Sequence, residues 1–204
     1  MKRIISAALL SASCLSANAG VIFSDNFDSE VPDVVVQTGS DTNYDSFTNW
    51  NVSDGTVDLV ANGDWSLSCA GNAGKCVDLD GSSGNAGVFT SNIFALAAGN
   101  YLLSFDVSGN QERNSSNDTM ELQLGGFVND TITLAANDPW VTMNYNFTVS
   151  GAASNNLSFN HLGNDNIGIL LDNVIITSVS EPGTLALLGL GLVGLTAARR
   201  KKSA

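Results

Sequence analysis

Alternation of apolar and polar residues dominates the segment 20–179 and predicts β-strands. Every second residue is apolar in 101–107 and in 140–149. In the second segment, Thr and Asn occupy the positions between the apolar residues. Such alternation is typical of half-buried strands. Helical periodicity is nearly absent. Further strands are predicted at 20–23, 50–52, 56–60, 76–79, 87–90, 121–124, 131–134, 156–160 and 169–178.

Turn-forming clusters separate these strands and indicate the fold class. Asn62-Gly63-Asp64 and Gly163-Asn164-Asp165 are typical turn sequences. About ten short strands without intervening helices predict an all-β fold, an antiparallel β-sandwich of jelly-roll type. The last segment, 167–176, is apolar on both faces, so it is predicted to be a central strand.

The N-terminus has the pattern of a secretory signal peptide. Met1-Lys2-Arg3 is a positive start, an apolar-rich stretch follows at 4–15, and Ala17-Asn18-Ala19 is a small-x-small cleavage site. We therefore expect residues 1–19 to be removed by cleavage between Ala19 and Gly20. A lipoprotein signal through Cys14 is the weaker alternative, because Ser11 stands where a large aliphatic residue is expected.

The C-terminus combines an apolar run with a basic end. Residues 184–198 are followed by four basic residues at 199–202. As a helix, 15 residues span about 22 Å, which is short of the ~30 Å hydrocarbon core of a bilayer. Snorkelling of Arg199 and Arg200 would close part of that gap. The sequence predicts a transmembrane helix at 184–198 with a cytoplasmic basic end, and its glycines favour a temporary anchor.

The tail resembles the PEP-CTERM sorting signal of Gram-negative bacteria. The resemblance rests on Ser180-Glu181-Pro182, on the glycine-rich apolar segment, and on the basic end formed by Arg199, Arg200, Lys201 and Lys202. It implies recognition by an exosortase, cleavage near Glu181-Pro182, only transient membrane anchoring, and delivery to the cell surface or extracellular matrix. An uncleaved tail anchor is the alternative.

Charge limits the partners of the segment 20–179. This segment contains 19 acidic residues and two basic ones, Lys75 and Arg113, which gives a net charge of −17. A field of this sign argues against nucleic acid and anionic lipid as partners. It favours solubility and the binding of multivalent cations.

Two cysteines, Cys69 and Cys76, remain once the signal peptide is removed. An even number of cysteines in an exported chain predicts a disulfide, here one that closes the loop 69–76. Two cysteines without a nearby histidine do not make a zinc site.

Two other stretches resemble carbohydrate-binding jelly rolls. Asp25-Asn26-Phe27-Asp28 follows the first strand and Leu171-Asp172-Asn173-Val174 lies in the last. The resemblance implies that these ends meet and hold a structural calcium ion through Asp28 and Asp172, with solvated surface charge as the alternative. The elements VDLDGS, GNYLLSFD and SGNQ also resemble the choice-of-anchor extracellular domains.

Aromatic residues are the candidates for sugar binding. Trp65 follows a turn and is expected to be exposed, and Trp140 begins a strand on its outward phase. We assign both as predicted sugar-binding platforms, whereas Trp50 is predicted to be core. His161, the single histidine, lies on the apolar phase of its segment and is interpreted as structural.

No catalytic residues are predicted. The sequence has no Gly-x-Ser-x-Gly elbow, and both remaining cysteines are used in the predicted disulfide. We expect an exported, non-enzymatic surface or matrix protein that associates with extracellular polysaccharide. The alternatives are an acidic structural matrix protein without a sugar pocket and, less favoured, a polysaccharide hydrolase, which needs only two suitably placed carboxylates.

Overall fold

The computed structural model describes residues 19–112 and 116–179, together with Gly191. Two short 3₁₀ turns, Asp64–Ser66 and Ala70–Asn72, interrupt an otherwise β structure. Within the described residues, the strands in chain order are β1 Val21–Asp25, β2 Trp50–Ser53, β3 Asp58–Ala61, β4 Lys75–Asp78, β5 Val88–Ser91, β6 Phe94–Leu96, β7 Gly99–Ser108, β8 Asp118–Leu124, β9 Val128–Leu134, β10 Val141–Val149, β11 Ala153–Asn155, β12 Leu157–His161 and β13 Leu170–Val179.

The strands form two main antiparallel sheets. The first has the order β10-β7-β13-β4-β3, and β1 also pairs with β13. The second has the order β2-β5-β12-β8-β9, and a small third sheet pairs β11 with β6. The register between β7 and β10 runs without interruption from Val141 opposite Val107 to Val149 opposite Gly99.

The hydrophobic core lies between these sheets, because the strands turn their apolar residues inward. Leu103 and Phe105 on β7 face Leu122 on β8 and Phe159 on β12, and all four are fully buried. Trp50 is 2% exposed and stacks on Phe89 with ring centroids 4.4 Å apart. The predicted antiparallel β-sandwich is confirmed.

Short elements depart from the sequence-based prediction. The alternating segments correspond to β7 and β10, and the apolar segment 167–176 overlaps β13, which lies between β7 and β4. β6 and β11 were not predicted, since each has only three residues and an alternating pattern needs more.

Residues Gly20–Val179 form one compact unit. The predicted signal peptide lies outside the described residues except for Ala19, and the predicted helix 184–198 lies outside them except for Gly191. Within the described part of the chain, no helix has the length and apolar character needed to cross a membrane.

Candidate ligand-binding cleft

A disulfide organises the surface on which both candidate tryptophans lie. Cys69 and Cys76 are bonded, with an S–S distance of 2.09 Å. With Val60 they form a second, smaller hydrophobic cluster, and the half-buried side chains of Trp65 and Trp140 pack against it. The two indoles are therefore supported by the same covalently closed loop.

The turn that carries Trp65 is held in an uncommon backbone conformation. Trp65 has φ 50° and Ser66 has φ 66°, both in the left-handed region that non-glycine residues rarely adopt. The buried Asp64 accepts hydrogen bonds from Thr38 Oγ1 at 2.6 Å and Ser40 Oγ at 2.7 Å. Burial alone would raise the pKa of Asp64, but these hydrogen bonds, together with those from the backbone of Thr38 and Gly39, outweigh it and lower the pKa. The turn is thus fastened to the segment 38–40.

Trp65 forms part of the wall of a cleft of about 250 Å³. Val36, Leu67 and Ile167 supply further apolar surface to its lining. The backbone N–H of Trp65 donates to Gln37 Oε1 at 3.2 Å, which ties the backbone at Trp65 to the loop that bears Val36.

Polar side chains line the other part of this cleft, namely Thr42, Asp58, Asp78, Ser82, Asn110, Glu112 and Asn166. The Asp58 carboxylate is fixed in place, because it accepts hydrogen bonds from Asn43 N at 2.7 Å and Ser82 Oγ at 2.7 Å. Burial raises the pKa of Asp78 well above its usual range. The hydroxyl and amide groups of the lining can donate as well as accept hydrogen bonds, so the cleft offers both donors and acceptors.

Trp140 borders a different cleft, of about 280 Å³, with Ser68, Gln111 and Asp138 among its neighbours. Its indole Nε1 donates to Ser68 O at 2.8 Å, so its polar atom already has a partner. The structure therefore brings Trp65 and Trp140 to one disulfide but places them in separate clefts.

Asp28 and Asp172 hold the two ends of the disulfide loop. Asp172 Oδ2 accepts from Ala70 N at 3.2 Å, and Asp28 Oδ1 accepts from Lys75 N at 2.8 Å. Asp172 is 3% exposed. Its burial, supplemented by the charge of Asp28, outweighs its amide hydrogen bonds and raises its pKa to about 7.

These two carboxylates alone would not make a calcium site. Calcium takes six to eight oxygen ligands. Among residues 19–112 and 116–179, no group of three or more Asp, Glu, His or Cys side chains is arranged to hold a metal ion. Carbonyl groups and water would have to supply the remaining ligands, and the calcium site at Asp28 and Asp172 stays a prediction.

His161 is placed in the interior and is not part of the lining of the Trp65 cleft. It is 3% exposed, and its Nδ1 lies 3.0 Å from Gly163 N and 3.8 Å from Asp80 Oδ2. Burial lowers the pKa of His161 to about 4, so the imidazole is neutral at pH 7. These contacts are those of a structural histidine.

Comparison with known proteins identifies the C-terminal segment. Residues 178–201 match the PEP-CTERM protein-sorting motif. The chain carries a PEP-CTERM sorting signal. Except for residues 178, 179 and 191, the PEP-CTERM segment lies outside the described residues. A comparison with curated proteins gives no match.

Solved structures of other proteins share the fold of the segment before the PEP-CTERM signal. The K3 cleaved adhesin domain of Lys-gingipain from Porphyromonas gingivalis is 18% identical, with a TM-score of 0.51 over 79% of this chain and 100% of that domain. The K1 domain of the same protein is 16% identical, with a TM-score of 0.51 over 78% of this chain and 98% of that domain. The CBM22-1 xylan-binding domain from Paenibacillus barcinonensis Xyn10C is 11% identical, with a TM-score of 0.46 over 80% of this chain and 97% of that domain.

Proposed function

We propose that the processed protein is a non-enzymatic binding module of the cell surface or extracellular matrix, and that its Trp65 cleft binds an extracellular polysaccharide. The observation that carries the proposal is the position of Trp65, which is half-buried in a cleft that also contains carboxylate and amide side chains. A sugar ring has an apolar face and a rim of hydroxyl groups, and this combination complements the mixed apolar and polar lining of the cleft.

Two further observations support a binding role. The two gingipain domains of the same fold are named adhesin domains, which is in line with binding rather than catalysis. In the described part of the chain, the histidine is buried and neutral and the two cysteines are bonded to each other, so neither supplies an activated nucleophile.

An acidic matrix protein without a sugar pocket is the second candidate. The charge of −17 on residues 20–179 favours it, since divalent cations can bridge such surfaces. Native electrophoresis of the segment 20–179 through gels containing the host's exopolysaccharide separates the candidates. We expect retarded migration that saturates with polysaccharide and releases no reducing ends. Unchanged migration, both with calcium and with a chelator, would contradict polysaccharide binding, and released reducing ends would indicate a hydrolase.

We also propose that an exosortase-type enzyme removes the tail near Glu181-Pro182. The intact mass of the surface-displayed protein is then expected to correspond to a chain ending near residue 181. Replacing Glu181 and Pro182 together by alanine should leave the full tail and keep the protein in the membrane fraction. The matched variant Ser180→Pro should still be processed. Surface protein of wild-type sequence that retains residues 184–204 would instead indicate an uncleaved anchor.

Calcium binding at Asp28 and Asp172 predicts a pH-dependent gain in stability. Without metal, the folded state takes up a proton at Asp172 near pH 7, whereas the unfolded chain does so near pH 4. Stability should therefore rise as the pH falls from 8 to 6. Bound calcium favours the ionised carboxylate, so it should raise the unfolding temperature by about 5 °C at pH 8 and by less at pH 5.5.

Thermal unfolding with and without calcium tests this expectation. Asp28→Asn should abolish the calcium effect, whereas Asp45→Asn, which removes an exposed carboxylate elsewhere, should preserve it. An unfolding temperature of the wild-type segment that calcium leaves unchanged at pH 8 would rule out the site.

A further inference from the structure

Strand β10 is long and lies at the edge of a sheet in the described part of the chain. It occupies the end of the first sheet and pairs only with β7 among the strands that the structure describes. All nine of its residues pair in continuous register, with no bulge. An antiparallel edge strand leaves alternate backbone N–H and C=O groups without a strand partner, and these groups can pair with another strand.

This edge has none of the features that usually prevent strand pairing. Natural edge strands are commonly short, bulged, or interrupted by charged residues and proline. β10 contains no charged residue, no proline and no glycine. By contrast, β2 and β3 at other sheet ends have four residues each, and β9 carries Asp130.

The sequence of β10 is nearly palindromic about Tyr145. It reads Val-Thr-Met-Asn-Tyr-Asn-Phe-Thr-Val, so reversal changes only the Met143 and Phe147 positions, which are both large and apolar. An antiparallel pairing with an identical strand, centred on Tyr145, would place valine opposite valine, threonine opposite threonine and asparagine opposite asparagine. Directly opposed residues project from the same face of a sheet, so core-facing residues would meet core-facing residues.

We propose that two copies of this protein associate through β10, edge to edge about a two-fold axis at Tyr145, to form one continuous sheet across the dimer. This proposal is independent of the polysaccharide cleft. The paired strand would be about 30 Å long. It would also cover apolar surface that one copy leaves accessible, because Val141 is 44% exposed and Met143 and Tyr145 are half-buried.

Charge determines the conditions for this association. Each copy carries a net charge of −17 on residues 20–179. In addition, Tyr145 Oη donates to Asp130 Oδ2 at 2.7 Å, so the dimer would have one Asp130 carboxylate from each copy near the proposed axis. Repulsion between the copies is screened by salt. Dimerisation should therefore strengthen with sodium chloride and persist in a chelator, whereas cation bridging would be lost in the chelator.

Analytical ultracentrifugation of the segment 20–179 tests the proposal, since this compact unit contains the whole described core. In the palindromic register Asn144 opposes Asn146 of the second copy. The double variant Asn144→Lys, Asn146→Lys therefore opposes lysine with lysine and should weaken dimerisation at least tenfold. The control Asn137→Lys, Asn164→Lys makes the same change in net charge at exposed loop positions and should dimerise like the wild type.

Cysteine crosslinking tests the register itself. An equimolar mixture of Asn144→Cys and Asn146→Cys chains should form an intermolecular disulfide, and either variant alone should crosslink poorly. A wild-type segment that stays monomeric at high concentration and high salt, or that dimerises equally well with both lysines in β10, would overturn the proposal. Dimers that dissociate in a chelator would overturn it in favour of cation bridging.

Discussion

Replacing Trp65 by alanine is expected to weaken polysaccharide binding by about 30- to 150-fold. The indole is half-buried and forms part of the apolar wall of the cleft, so its removal deletes the surface on which a sugar ring would pack. Aromatic side chains at the centre of a binding site commonly contribute about 2–3 kcal/mol, which corresponds to that change in affinity. Titration calorimetry of the segment 20–179 with the host's exopolysaccharide measures it.

Trp140→Ala is the matched control for this variant. Trp140 packs against the same disulfide cluster and is also half-buried, and its replacement by alanine removes an indole of the same size. It borders another cleft, and its Nε1 is bonded to Ser68 O. The sequence predicts Trp140 as a sugar-binding platform too, but we propose that binding in the Trp65 cleft does not need it, and we expect a change in affinity of less than about threefold. An equal loss of affinity in both variants would attribute the effect to packing on the disulfide and would contradict a binding role specific to Trp65.

Replacing Trp50 by alanine is expected to have the largest effect on stability. Trp50 is 2% exposed, stacks on Phe89 and donates from Nε1 to Asp25 Oδ2 at 3.0 Å. The substitution leaves a large cavity and deprives the buried Asp25 carboxylate of one donor. Comparable core substitutions lower the free energy of unfolding by about 3–5 kcal/mol, a large part of the stability of a typical domain.

Urea unfolding followed by circular dichroism measures this loss. Trp50→Phe retains an aromatic ring but removes the Nε1–H donor. It should therefore lower the free energy of unfolding less than Trp50→Ala does, and more than Trp65→Phe does at the surface. Point substitutions typically change the free energy of unfolding by about 1 kcal/mol. If Trp50→Ala lowered it by no more than that, the position of Trp50 in the core would be wrong.

The sequence predicts the long strands because their pattern of apolar residues extends over enough positions to be recognised. In β7 and β10 alternate residues enter the core, so hydrophobicity follows the two-residue repeat of a strand. β13 lies between β7 and β4, and its more continuous apolar character reflects that central position. The disulfide between Cys69 and Cys76 could also be predicted from the sequence, because only these two cysteines follow the predicted signal peptide.

The cleft could not be assembled from the sequence, because its residues are distant along the chain. Asp58, Asp78, Asn110 and Asn166 meet only when the strands and loops that bear them come together. No local pattern distinguishes Asp58 or Asp78 from the other acidic residues. The left-handed backbone at Trp65 and Ser66 was also not predicted, since neither residue type favours it.

The contacts of Asp28 and Asp172 show a similar limit. The resemblance of the stretches 25–28 and 171–174 to carbohydrate-binding jelly rolls predicts that both residues lie at one site. It does not indicate that Asp172 accepts a hydrogen bond from Ala70 N and Asp28 one from Lys75 N in the disulfide loop. Those contacts depend on the path of the loop 69–76, which the spacing of the cysteines does not specify.

The most direct test of polysaccharide binding follows the three indole N–H signals of the segment 20–179 by ¹⁵N NMR during titration with the host's exopolysaccharide. Trp50 is buried and bonded to Asp25, Trp140 is bonded to Ser68, and Trp65 lies in the proposed cleft. We predict that the Trp65 signal shifts or broadens saturably while the Trp50 signal stays unchanged and the Trp140 signal changes little. A titration in which the Trp65 signal does not respond, or in which only the Trp140 signal does, would contradict the assignment of this cleft.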